Sequence, residues 1–210
     1  MTIQQVSCDE PLWNPFHILY RCRKIEIRQL PRLTPTVLRA LPRLTGKRIP
    51  LLFDGEVLNK VGLLDILIDV RRAEVLLLLD NREADNFRRT NTCLLIGRGF
   101  SNLDYPYPRR QREPIGVPID SHWMIPYRGS LRFIAKMGGD VSWDFSFSAT
   151  RMDFFALDIP GLIDPLPSCS NPDDNLSEAF IEENMPLPRW TSKAKIRGAS
   201  ILHYNEFTWQ

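Results

Sequence analysis

An all-β fold, a sandwich or barrel with one or two short helices, is predicted for this chain by three observations. Proline outnumbers glycine, 17 to 11, in 210 residues; proline removes an amide donor and clashes with the preceding helical turn, so long helices are disfavoured. Ser142, Asp144, Ser146 and Ser148 alternate with Trp143, Phe145 and Phe147, the two-residue period of a strand with one face in a core. Summed along the chain, such runs make about eight strands, a number that suits a closed or doubled sheet. The length suits one domain around one core.

Residues 1–15 are mixed and broken by proline, and are expected to form an N-terminal arm ahead of a single domain over 16–210. Residues 18–28 alternate most clearly at Ile25 and Ile27 and are read as the first long strand. Pro31, Pro35, Pro42 and Pro50 restrict any helix over 36–41 to about one or two turns. Residues 58–72 carry Val61, Leu64, Leu67 and Ile68 at helical spacing, closed by Arg71 and Arg72, and predict an amphipathic helix. Strands are predicted over 74–79 and 92–96, the second ended by Gly97-Arg98-Gly99. Four prolines between 101 and 120 predict a long loop. Strands follow over 131–135, 141–149 and 152–157, with Gly138-Gly139 as a hairpin turn. A polar loop at 165–175 precedes two last strands, near 182–187 and 199–209.

The net charge of +2 conceals a segregated distribution. Between 21 and 48 stand Arg21, Arg23, Lys24, Arg28, Arg32, Arg39, Arg43, Lys47 and Arg48 against the single carboxylate Glu26. Asp173, Asp174, Glu178, Glu182 and Glu183 form an acidic counterpart, so the two segments can meet within one chain or between copies. Phe16 and Tyr20 near the basic segment, and Tyr105, Tyr107, Arg109, Arg110 and Arg112 further on, interleave rings with cations as nucleic-acid contacts do; interface arginines and a solvated surface have the same composition.

Catalytic patterns are absent from the sequence. His17, His122 and His203 show no i, i+4 pair, so a zinc-hydrolase motif is missing. Ser121 and His122 are neighbours whose side chains point to opposite faces of an extended chain. Gly97-Arg98-Gly99 lacks the third glycine of a dinucleotide loop. Asp173-Asp174 and Glu182-Glu183 lie among polar residues, as solvated loops do. No enzyme activity and no cofactor are expected. Cys8, Cys22, Cys93 and Cys169 are scattered, which suits free thiols in a reducing compartment. The apolar run at 75–79 is far short of the roughly 20 residues that span a bilayer, and the N-terminus lacks a signal-peptide pattern, so membrane insertion is not expected.

Four phrases, in order, resemble the jelly-roll capsid proteins of picorna-like viruses, especially the insect dicistrovirus and iflavirus groups. Gly55-Glu56-Val57-Leu58 leading into residues 61–67 is similar to that family's Gly-Glu start and short amphipathic helix. Tyr127-Arg128-Gly129-Ser130, followed by Leu131-Arg132-Phe133, resembles its aromatic-Arg-Gly-Ser lead into a central strand. Residues 181–189, with Pro186 and Pro188, resemble a glutamate-rich strand ending in Pro-Tyr, and residues 204–209, with Glu206 and Phe207, a terminal Asp-Asp-Phe strand. Pro126, Leu187 and the pair Asn205-Glu206 depart from the pattern, and the precursor-cleavage role of the paired aspartates in some relatives is not carried over.

The resemblance implies an eight-stranded antiparallel jelly-roll sandwich serving as a structural shell subunit, found in the virion and, during assembly, in the host cytoplasm. Its partners would be other capsid subunits and genomic RNA. Charge alone marks Arg39, Arg43, Lys47 and Arg48 as candidates for the RNA-facing surface. The alternative from another class is a monomeric β-sandwich module that binds a peptide or carbohydrate through the 101–120 loop.

Overall fold

A computed structural model describes residues 25–33, 55, 57–82, 84, 90–105, 117–138, 143–162 and 186–204, with backbone alone at 203. These residues are mostly antiparallel β-sheet. The strands are β1 (Ile25–Glu26), β2 (Val61–Asp69), β3 (Glu74–Asp80), β4 (Thr92–Arg98), β5 (Ser101–Asp104), β6 (Val117–Tyr127), β7 (Ser130–Met137), β8 (Trp143–Ala149), β9 (Arg151–Asp158) and β10 (Lys193–His203), with a 3-10 helix at Ile27–Arg32. They join in the order β1-β10-β9-β4-β3-β2-β6-β7-β8-β5. The described strands thus number ten where about eight were expected.

The sheet folds over itself into two layers, β10-β9-β4-β3-β2 and β6-β7-β8-β5. On one side the link is a short ladder in which Val61, Gly62 and Leu63 pair with Ile119, Pro118 and Val117. On the other it is a bent ribbon. Arg98 pairs with Arg151 in the first layer and Ser101 with Ser148 in the second, three residues further along both strands. The register therefore passes unbroken through the corner. Gly99 takes φ +61° there, a left-handed conformation that glycine adopts without a Cβ clash. Thr150 completes the corner: its N–H and its hydroxyl both donate to the Arg98 carbonyl, at 3.0 and 3.1 Å.

Between the layers lies the main core. Val75, Leu77, Leu79, Cys93, Leu95, Met152, Phe154 and Ala156 face Met124, Leu131, Phe133, Ala135, Phe145 and Phe147. Phe133 and Phe147 pack with ring centres 5.5 Å apart, and Phe145 and Phe147 at 5.7 Å. The back of the first layer is buried as well: Leu76, Leu78, Leu94, Ile96, Phe155 and Leu157 form a second cluster with Ile27, Leu30 and Ile159. A strand buried on both faces has no polar side to show, which explains the unbroken apolar run of β3.

The cover over that second face is held by polar anchors. Ile27 N–H donates to Ser192 O and Arg28 N–H to Trp190 O, and the Trp190 indole donates to Asp65 Oδ2 at 2.7 Å. Arg98 reaches from β4 to the Pro31 carbonyl at 2.9 Å. The same guanidinium pairs with Glu74, and with Asp153 at 2.7 Å, while Arg151 pairs with Asp153 at 2.6 Å. Two cations and two carboxylates at the rim of the face thus neutralise one another, as largely buried charges require.

Several sequence expectations are corrected here. The helix expected over 58–72 is instead β2 and the turn into β3; a register shift between Leu63 and Asp65 resets the strand's alternation, so a bulged strand mimics helical spacing. Residues 27 and 28 belong to the 3-10 helix rather than to a long strand. The 101–120 loop contains β5 and the start of β6. Residues 186 and 187 are not strand, and the last strand begins at Lys193. The strands expected over 74–79, 92–96, 131–135 and 152–157 are present, each slightly longer, and 143–149 forms most of the one expected over 141–149. The arm at 1–15, the helix over 36–41 and the loop at 165–175 lie outside the described residues.

The layers approach closely at Gly97, where a Cβ would collide with the Phe147 ring and stand 3.0 Å from Val75 Cγ1. Gly97→Ala is expected to lower the unfolding free energy by about 1–3 kcal/mol through overpacking. In urea titrations, Gly97→Ala combined with Phe147→Leu should be less destabilised than the two single changes added.

Candidate functional site

Tyr127-Arg128-Gly129-Ser130 forms the tight turn between β6 and β7, with Tyr127 paired to Ser130. Arg128 and Gly129 take φ +46° and +78°, the positive values that a two-residue hairpin needs to match the twist of its strands. The Ser130 hydroxyl donates to the Tyr127 carbonyl at 2.6 Å and closes the loop. A Cβ at Gly129 would have nothing within 4 Å. Close packing is therefore not what this glycine serves; its backbone angle is.

The turn also arranges charge. The Arg128 guanidinium lies 5.3 Å from the centre of the Tyr127 ring, and that of Arg132 5.2 Å from the same ring, within cation–π range. Arg132 further donates to Ser146 Oγ at 3.2 Å. Arg28, Arg72, Arg82, Arg98, Arg151 and Arg197 all pair with carboxylates. Neither Arg128 nor Arg132 has such a partner among the described residues.

Alternation along β6 sends His122 and Met124 inward and Trp123 and Ile125 outward. Trp123 is 47% exposed and Ile125 41%, standing opposite Ile134 and Arg132 of β7. Sequence reasoning missed this pair because Pro118 fell in the loop expected over 101–120 and residues 121–126 were assigned to no element. The signal was the aromatic and apolar run Trp123-Met124-Ile125, which suits a strand, and Pro118 and Pro126 sit near strand ends, opposite Gly62 and Leu131.

Of the other residues singled out by sequence, Gly55 supports β6: its carbonyl accepts the His122 N–H, and a Cβ there would approach the His122 carbonyl to 3.1 Å. Pro186 is exposed and Pro188 buried in the segment leading to β10. Arg39, Arg43, Lys47, Arg48, Glu56, Glu206 and Phe207 lie outside the described residues. His122 is buried in the main core, its ring centre 6.0 Å from that of Phe133. No cluster of three metal-ligating side chains occurs among the described residues, and no helix among them is long and apolar enough to cross a membrane.

Cys93 is buried in the main core with a free thiol. Burial pushes its pKa well above the ordinary value, and the nearby Asp80 charge adds to the effect. Such a thiol is a poor nucleophile.

Two expected outcomes follow from this geometry. Gly129→Val should cost about 1–2 kcal/mol through left-handed strain alone, with Gly129→Asn costing less, as read by urea denaturation. For Cys93, the folded chain holds the thiol proton more tightly than the unfolded one. That stabilisation is complete below about pH 8.5 and is lost progressively above it, toward the raised folded value, with a slope of up to about 1.4 kcal/mol per pH unit. Cys93→Ala should remove this component of the alkaline decline when melting is followed from neutral to high pH.

Comparisons with protein-family models, with curated proteins and with solved structures found no match.

Proposed function

We propose that the chain is a structural, non-enzymatic subunit of a small icosahedral RNA-virus shell, assembling laterally with related subunits around a genome. The observation that carries this reading is the aromatic-Arg-Gly-Ser phrase at a hairpin leading into β7, a central strand of a two-layered antiparallel fold. In the proposed jelly-roll plan, distant strands lie side by side, as β9 does beside β4 and β5 beside β8. The β2-β3-β4 and β6-β7-β8 runs are sequential hairpins, a simpler connection than the full plan.

The rims suit lateral contact. Beyond Leu63, β2 has no described neighbour on its β6 side. Leu67 and Ile68, which point to opposite faces, are both exposed there, and Val70 at the hairpin tip is 79% exposed. An open edge with apolar side chains on both faces readily accepts a neighbouring chain. The alternative of a monomeric module that binds through the 101–120 loop would have to use residues 105–116, since β5 and the start of β6 occupy the two ends of that segment.

Electron microscopy and sedimentation of the purified chain, alone and coexpressed with related subunits, test the proposal. Closed particles are expected, and Val70→Asp should reduce their yield while leaving the fold's circular dichroism intact. A stable monomer at high concentration across a range of salt would overturn the reading.

A further inference from the structure

We propose that the open face of β6 and β7, from Trp123 to the Arg128 turn, is a binding site for single-stranded nucleic acid. Three features converge on one side of these strands. Trp123 is 47% exposed and is flanked by the exposed Ile125. Four residues along β6, about 13 Å at the usual strand rise, Tyr127 holds two guanidiniums near its ring. Neither guanidinium meets a described carboxylate, although most of the described arginines do.

Two like charges held beside one ring repel each other unless an anion joins them. The face's other charged groups are Lys136 with Asp144 directly opposite it on β8, the exposed Asp120, and the exposed Asp104 of β5, which stands opposite Ser146, the residue to which Arg132 donates. Arg128 and Arg132 outnumber that one nearby carboxylate, so the turn end of the face carries net positive charge, with an apolar aromatic surface alongside. Phosphate oxygens match planar guanidiniums, and a base matches the face of an indole. An acidic peptide would satisfy the arginines and leave the indole unused. A duplex would offer phosphates with its bases already stacked away. A single strand uses both halves of the site. This deepens the shell reading by naming a genome-facing surface, yet it is measured on dissociated subunits, so either can fail alone.

The test is fluorescence anisotropy of labelled RNA and DNA single strands of roughly 20 nucleotides, titrated with unassembled chain across a salt series. Arg128→Gln and Arg132→Gln should each lower the slope of log affinity against log salt by about 0.7. Trp123→Ala should weaken binding about ten-fold at every salt concentration, with the slope unchanged. Trp123→Phe, which retains a ring, should restore most of the affinity and guards against a folding artefact. Arg189→Gln and Lys193→Gln, away from this face, should change nothing. An RNA preference over DNA would place the ribose hydroxyl in contact, and equal affinity would place recognition in phosphate and base alone; either supports the site. Absent salt-dependent binding, an inert Trp123→Ala, or equal displacement by polyglutamate of matched length would overturn it.

Discussion

The bend of one β-ribbon holds this architecture together. β4 and β5 run antiparallel to β9 and β8, and their register crosses the corner at Gly99 and Thr150 without slipping. Because both strands turn at the same height, inward side chains of β4 and β9 come to face those of β8, and Phe147 lands on Gly97. The main core thus follows from a local event: one glycine at positive φ, and one threonine whose backbone and side chain both hold the neighbouring strand's carbonyl. Tyr204 adds a third strand to the same corner by donating its N–H to the Thr150 carbonyl.

The polar groups buried by this arrangement are organised at the two ends of the first layer. At one end, Arg98 and Arg151 match Glu74 and Asp153. At the other, Arg82 doubles back onto Asp80 through its backbone N–H and its guanidinium. Asn91 there bonds the Ile159 backbone in both directions, at 2.9 and 3.0 Å, an exchange that replaces a ladder step where β9 ends. Buried polar side chains are tolerated because each principal charge has a counter-charge within reach.

Much of the layer structure could be read from the residues, and the failures have physical causes. β3, β7 and β9 were legible because their apolar runs or alternation match strands in a deep core. β2 was misread because a bulge at Leu63–Asp65 shifts the side-chain parity, leaving apolar residues at intervals of three and four. The start of β6 was hidden in the expected 101–120 loop by Pro118, which sits where the ladder tolerates it. At the candidate site, the Tyr127-Arg128-Gly129-Ser130 phrase stood out as the start of a strand. Its pairing of two cations over one ring, with Trp123 and Ile125 beside it, depends on cross-strand register and on which face stays open, neither of which a linear pattern encodes.

The cover over the back of the first layer differs in kind from the sandwich beneath it. It comprises a short 3-10 helix and an irregular segment, fastened at Pro31, Trp190 and Ser192 by individual hydrogen bonds rather than by a long ladder. Such a unit opens locally at lower free energy than global melting. Its detachment would bare Leu76, Leu94 and Phe155 on a still-folded platform, so hydrogen exchange in these residues' amides and the onset of sticky self-association share a common gate, the few polar clasps by which Arg98 holds the Pro31 carbonyl and Asp65 the Trp190 indole.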